Sequence, residues 1–185
     1  MEERPRDVFE TIERHRIVGS VALVHASSLG AAQGDYCARV DPTISWAARE
    51  DAASLAPQLV DLLADLSPAN AALNVDVITQ RLLDDRVRVA LASAADRIVG
   101  AATLTLLVTL TDGLVGRVED VVVSPAARGA GLGRQLMEAL HGEARRLGLA
   151  HLDLTSRPSR EAANGLYASL GYERRETNVY RLRLD

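Results

Sequence analysis

The chain has 185 residues, 48% of them hydrophobic and only 3% aromatic, and its formal net charge is −4. That length suits one domain with a core of Leu, Val, Ile and Ala. The acidic balance argues against nucleic acid as a partner, since such binders carry a basic one. The single cysteine, Cys37, excludes an internal disulfide or a cysteine-based metal cluster. His15, His25, His141 and His151 show no metal-ligand spacing, so no metal is expected. The apolar run over 17–25 is too short to cross a bilayer, and a soluble cytoplasmic protein without a membrane partner is expected.

The chain divides near Asp41-Pro42. Before that point, 8–15 suits a short helix, 17–25 a short strand and 26–34 a Ser/Ala/Gly loop. Residues 1–42 bear no chemical signature and are set apart as an extension of unknown role, leaving 43–185 as the domain proper. A strand is expected over 43–47. A helix then starts at Arg49-Glu50-Asp51, where acidic groups suit the dipole, carries Leu55, Leu59, Leu62, Leu63 and Leu66, and stops at Pro68. A second helix covers 75–83. Strands at 87–93, 98–108 and 114–123 have short connections and form an antiparallel meander. The helix over 131–147 has the stripe Leu132, Leu136, Leu140, Ala144 and Leu147 and stops at Gly148. A strand at 151–155 follows, parallel to its predecessor through this crossover. A helix at 161–170 ends at Gly171, and 179–184 alternates as an edge or half-buried strand would. Parallel and antiparallel pairing thus mix in one sheet, an α+β layered domain.

The chemistry concentrates between Val118 and Arg134, which reads as strand, Gly-rich turn and helix start. Free N–H groups and the positive dipole end, with glycines that let a ligand approach, make an anion cradle. A P-loop would need Lys then Ser or Thr after the last Gly, and here Arg134 and Gln135 follow Gly133. The dinucleotide fingerprint would need a third glycine at Arg134 or Leu136. The pattern that fits is Arg128, Gly131, Gly133 as [Arg/Gln]-x-x-Gly-x-[Gly/Ala], preceded by Val123-Ser124-Pro125 and followed downstream by Asn164-Gly165-Leu166-Tyr167 and Leu170-Gly171-Tyr172.

These motifs, in this order, resemble the GNAT superfamily of acetyl-CoA-dependent N-acetyltransferases over roughly 43–184, most strongly over 117–173. The resemblance implies a mixed, mostly antiparallel sheet with helices on both faces, acetyl-CoA as acyl donor, and direct transfer to an amine in a ternary complex. It places backbone contacts to the cofactor arm at Val121 and Val123, and the pyrophosphate on Gly129, Ala130, Gly131, Leu132, Gly133 and Arg134, with Arg128 beside it. Glu119 is the implied general base, directly or through water, on the strand face expected to carry Val121 and Val123. Asp120, expected on the opposite face, is second choice. Tyr167 would protonate the departing thiolate, and Asn164, one turn earlier, would hold the cofactor arm or cap the preceding loop. The Glu-Asp pair before valines resembles members that acetylate small amines, including glucosamine 6-phosphate and polyamines. Each role has a plainer counterpart: Glu119 paired with Arg117, Tyr167 as a packing residue, and Arg157 and Arg160 in a solvated loop.

A small-molecule amine is the expected acceptor. A protein or peptide acceptor, or an idle acyl-CoA-binding module, are the alternatives. A closed pocket near 70–77 would mark the first and an open groove the second. A homodimer is the family-level expectation.

Overall fold

The apolar stripes become two helix layers on a five-stranded sheet in a computed structural model of the chain, which describes residues 42–67, 70 and 72–184. The elements expected over 8–15, 17–25 and 26–34, and the helix stop at Pro68, lie outside those residues. The order is β1 (Thr43–Trp46), α1 (Ala52–Ala64), α2 (Val75–Leu82), β2 (Val87–Ala94), β3 (Arg97–Thr109), β4 (Gly113–Val123), α3 (Leu132–Leu147), β5 (Leu152–Asp153) and α4 (Glu161–Ser169). Arg49–Asp51 form a 3-10 turn ahead of α1 rather than its first turn. The strands lie in chain order; the first three pairings are antiparallel and β4 with β5 is parallel. The described residues form two compact units, one ending at Leu154 and one starting at Thr155.

In the first unit the sheet separates two apolar layers. Val89, Leu91, Ala101 and Val122 cluster with Ala52, Ala56, Leu59 and Leu62 of α1 and Ile78 and Leu82 of α2. The alternate residues face α3: a Cβ at Gly100 would lie 3.2 Å from Leu136 Cδ1 and 3.3 Å from Ala92 Cβ. Every member of the α3 stripe is buried, with Met137 added. Asn74 starts α2, its Oδ1 accepting from Asp76 N–H at 2.7 Å and Val77 N–H at 3.4 Å. Gly148, at φ 69°, ends α3 by donating to the carbonyls of Ala144 and Arg145. Gly116 sits where no side chain fits: a Cβ there would come within 2.8 Å of Leu104 Cδ1 and of Leu149 Cδ1 and collide with Leu152.

The second unit holds α4. The Asn164 amide donates to the carbonyls of Arg157 (3.0 Å) and Pro158 (3.4 Å), so it caps the preceding loop. The Tyr167 and Tyr172 rings meet edge to face at 6.0 Å. The alternating segment 179–184 is not a strand: Val179, Tyr180, Leu182 and Leu184 are all more than 70% exposed. Period-two alternation specifies a face, but a strand also requires a ladder partner. The strand expected over 151–155 shortens to Leu152–Asp153 for the same reason, since only Gly116 and Arg117 pair with it.

Candidate active site

One extra residue in β4 shapes the site. Across the β3–β4 ladder Ala101 pairs with Val122, and Thr103 pairs with Glu119. Two steps on β3 therefore match three on β4, a β-bulge, and Asp120 within it takes φ +51°. The left-handed region is unfavourable for most side chains by about 1–2 kcal/mol, Asp being among the more tolerant.

The bulge corrects the expected facing. Val122 packs with Ala101 in the α1/α2 layer, so Val121 and Val123 point to the other side. Glu119, opposite Thr103, stays on the α1/α2 side, so it does not share a face with Val121 and Val123. Asp120, expected on the face opposite Glu119, lines the same pocket as Glu119. A residue added to a period-two element inverts everything beyond it.

That pocket lies wholly in the first unit. It is a partly open pocket of about 250 Å³ between α1, α2 and the sheet, with Asn70 and Leu73 beside it. Leucines, valines and Ile78 form most of its wall; Thr103, Thr105, Arg81, Glu119 and Asp120 supply its polar groups. The Arg117 guanidinium donates to Glu119 Oε1, two residues along the same strand. Asp120 keeps contact with solvent, yet burial of its carboxyl raises its pKa, the Glu119 charge adds to the rise, and Arg81 opposes it. Arg81, Thr103 and Thr105 have no motif and were not singled out from the sequence. The one available signal for the bulge was the pair of adjacent carboxylates, in a strand that is otherwise apolar or glycine but for Arg117.

Beyond the bulge, the edge of β4 turns toward the Gly-rich loop. The Ser124 N–H donates to Val99 O at 2.8 Å, so by alternation the peptide groups of Val121 and Val123 face away from β3. On that side β5 reaches only Gly116 and Arg117. Pro125–Ala127 form a 3-10 turn, then Gly129 (φ 85°) and Gly131 (φ 76°) bring the chain to α3, with no side chain capping it. The amides of Gly129, Ala130, Gly131, Leu132 and Gly133 have no acceptor among the described residues. A Cβ on Gly129 or Gly131 would meet nothing within 4 Å, so the space before these amides is open. Such a cradle fits a pyrophosphate. The Arg128 Nε donates to Val123 O at 3.2 Å, and Arg134 lies 3.6 Å from Glu138, so both guanidinium groups have protein partners.

In the second unit, burial raises the Tyr167 phenol pKa against the opposing Arg160 charge, and raises Tyr172 to about 12. No group of three or more His, Cys, Asp or Glu suited to a metal occurs among the described residues, and none of their helices is long and apolar enough to cross a membrane.

The sequence pattern of the Acetyltransferase (GNAT) family matches residues 56–172. The chain belongs to the GNAT acetyltransferase family. An aminoglycoside N(6')-acetyltransferase type 1 of Stenotrophomonas maltophilia is 33% identical over 144 residues, 75% of this chain and 91% of that protein. An IAA acetyltransferase of Azospirillum brasilense is 31% identical over 118 residues, 64% of this chain and 74% of that one. Among solved structures, a Trypanosoma brucei acetyltransferase superposes with a TM-score of 0.64 at 29% identity, covering 78% of this chain and 100% of its own. This GNAT chain is an acyltransferase, with the α+β sheet and flanking helices that its motifs implied.

Proposed function

We propose that this GNAT enzyme transfers the acetyl group of acetyl-CoA to a primary amine of a small molecule, by direct attack in a ternary complex. The observation that carries this reading is the Asp120 bulge. One irregularity puts two carboxylates into one partly open pocket, while the following residues turn their peptide edge and lead into an anion cradle. The small volume between α1, α2 and the sheet favours a small acceptor over a peptide.

The acyl donor supplies an activated thioester. The chain supplies four things. The amides of Gly129 through Gly133 and the N-terminus of α3 bind the pyrophosphate, with Arg134 in the same turn. The outward peptide groups of Val121 and Val123 hold the cofactor arm, with Arg128 fixing Val123 O. The carboxylate pair takes the proton from the incoming ammonium. Glu119 is already held by Arg117, whereas Asp120 forms no ion pair among the described residues and has a raised pKa. Those two observations favour Asp120 as the base and Glu119 as the group that positions the amine. Tyr167, kept protonated by its raised pKa, donates to the leaving thiolate. The Asn164 amide braces the preceding loop through the carbonyls of Arg157 and Pro158.

Calorimetric titration with acetyl-CoA tests the reading, on the native chain and on Gly131→Asp. Native binding that is lost in the variant supports it. An absence of native binding at high micromolar cofactor overturns it.

A further inference from the structure

The pocket between α1, α2 and the sheet is apolar over most of its helical side, where Arg81 of α2 is the one charged group among the described residues. Leu59, Leu63, Leu73, Ile78, Leu82 and Val89 line its depth. Leu59, Ile78, Leu82 and Val89 are also buried in the continuous core, so this apolar wall is rigid. The carboxylates stand together on β4, with Thr103 and Thr105 beside them on β3. Asn70 already donates its amide to Leu63 O at 3.0 Å, so donor capacity on the helical side rests mainly on Arg81, the one cation among the described residues lining the pocket. The volume, about 250 Å³, is below the roughly 300–1,000 Å³ of drug-sized sites.

A polyhydroxylated amine fits this arrangement poorly. Its hydroxyls would face leucine and isoleucine, and each one buried without a partner lowers affinity about ten-fold. A hydrocarbon body loses nothing against the same wall and gains by leaving water. The two carboxylates then act on a single cation at the polar edge.

Resting on the acetyl-transfer reading above, we infer that the acceptor is a small alkyl or arylalkyl monoamine, its nitrogen at Glu119 and Asp120 and its hydrocarbon body against Leu59, Ile78 and Leu82. The ammonium gives a proton to the carboxylate pair. The freed nitrogen forms a C–N bond to the acetyl carbon of acetyl-CoA, the C–S bond breaks, and the nitrogen gives up a second proton as the sulfur takes one, so that one proton passes to solvent overall. The products are the N-acetyl amine and coenzyme A thiol.

The test measures initial thiol release by the full chain with acetyl-CoA and four amines: phenethylamine, isoamylamine, glucosamine 6-phosphate and kanamycin. The expected result is a kcat/KM at least 100-fold higher for the first two. Equal or better use of the amino sugars overturns the inference while leaving acetyl transfer intact. Cofactor binding with no turnover of any of the four amines also overturns the inference. Ligand-observed NMR of phenethylamine with the full chain alone reads the pocket without the cofactor, so its outcome is separate from that of the acetyl-CoA titration. Binding that Ile78→Asn weakens at least ten-fold supports the inference, and no binding at low millimolar amine overturns it. Thr105→Val guards against a folding failure in that variant. It removes a hydroxyl and enlarges the apolar wall, and should hold or raise phenethylamine binding; a ten-fold loss overturns the inference.

Discussion

Glu119 and Asp120 are neighbours on β4, and both side chains line one pocket, because Asp120 occupies a bulge at φ +51°. Their surroundings differ, Glu119 being tied to Arg117 and Asp120 standing without an ion pair among the described residues. Asp120→Asn should lower kcat/KM by about 10²-fold or more, the range for loss of a general base. Glu119→Gln should act chiefly on KM for the amine. The native profile should rise with pH through the Asp120 pKa, which lies above the ordinary value of 3.8, and that limb should disappear in Asp120→Asn. An unchanged limb would remove Asp120 from the proton transfer.

The same shift bears on stability. A carboxyl whose folded pKa is raised binds its proton more tightly folded than unfolded, so stability falls as pH rises from about 3.8 through the folded pKa. Asp120→Asn lacks that loss and should melt at or above the native temperature at pH 7. A lower melting temperature by scanning calorimetry would mean that the carboxylate braces the bulge.

Asp84 gives the opposite sign. The Arg86 side chain and backbone N–H both donate to it and hold its pKa at about 2. Its contribution is complete above the unfolded value of 3.8 and is lost as pH falls through about 2. Asp84→Asn should therefore melt slightly lower than the native chain at pH 7, with the difference shrinking below the unfolded value of 3.8 and gone only once pH is below about 2. A difference that persists at the acid end would make the effect one of packing.

Gly116 tests the sheet. A larger residue must displace Leu104, Leu149 and Leu152 together, and overpacking of this kind costs about 1–3 kcal/mol. Gly116→Val should lower the melting temperature by roughly 2–4 °C per kcal/mol. An unchanged melting temperature would show that β5 yields freely.

Tyr167→Phe keeps the edge-to-face contact with Tyr172 but removes the proton. It should lower kcat by about 10²-fold and leave KM for the amine within two-fold. A native kcat would assign Tyr167 to packing alone.

Much of this site was legible in the sequence because it follows local rules. Gly129 and Gly131 before a strongly periodic stripe, Leu132 to Leu147, mark a cradle and the helix behind it, and both need only neighbouring residues to form. The facing of Glu119 was not legible. It depends on whether Ala102 of β3 meets one residue of β4 or two, a property of the pair of strands and not of either alone. Arg81 and Thr105 reach the pocket only because α2 and β3 are brought to it by tertiary packing. The segment 179–184 shows the converse, a strand pattern whose partner no local rule supplies.

Gly131 starts α3 in a left-handed conformation without a capping side chain, and five successive amides, from Gly129 into the first turn of the helix, have no acceptor among the described residues. Under the proposed function, the bound pyrophosphate completes that helix, and α3 packs along β2, β3 and β4. Ligand binding and folding are then linked by mass action: at a hundred times Kd the cofactor adds about 2.7 kcal/mol to stability. A cell short of acetyl-CoA would hold a less stable pool of this enzyme, more open to proteolysis, so its abundance would follow the supply of its own acyl donor.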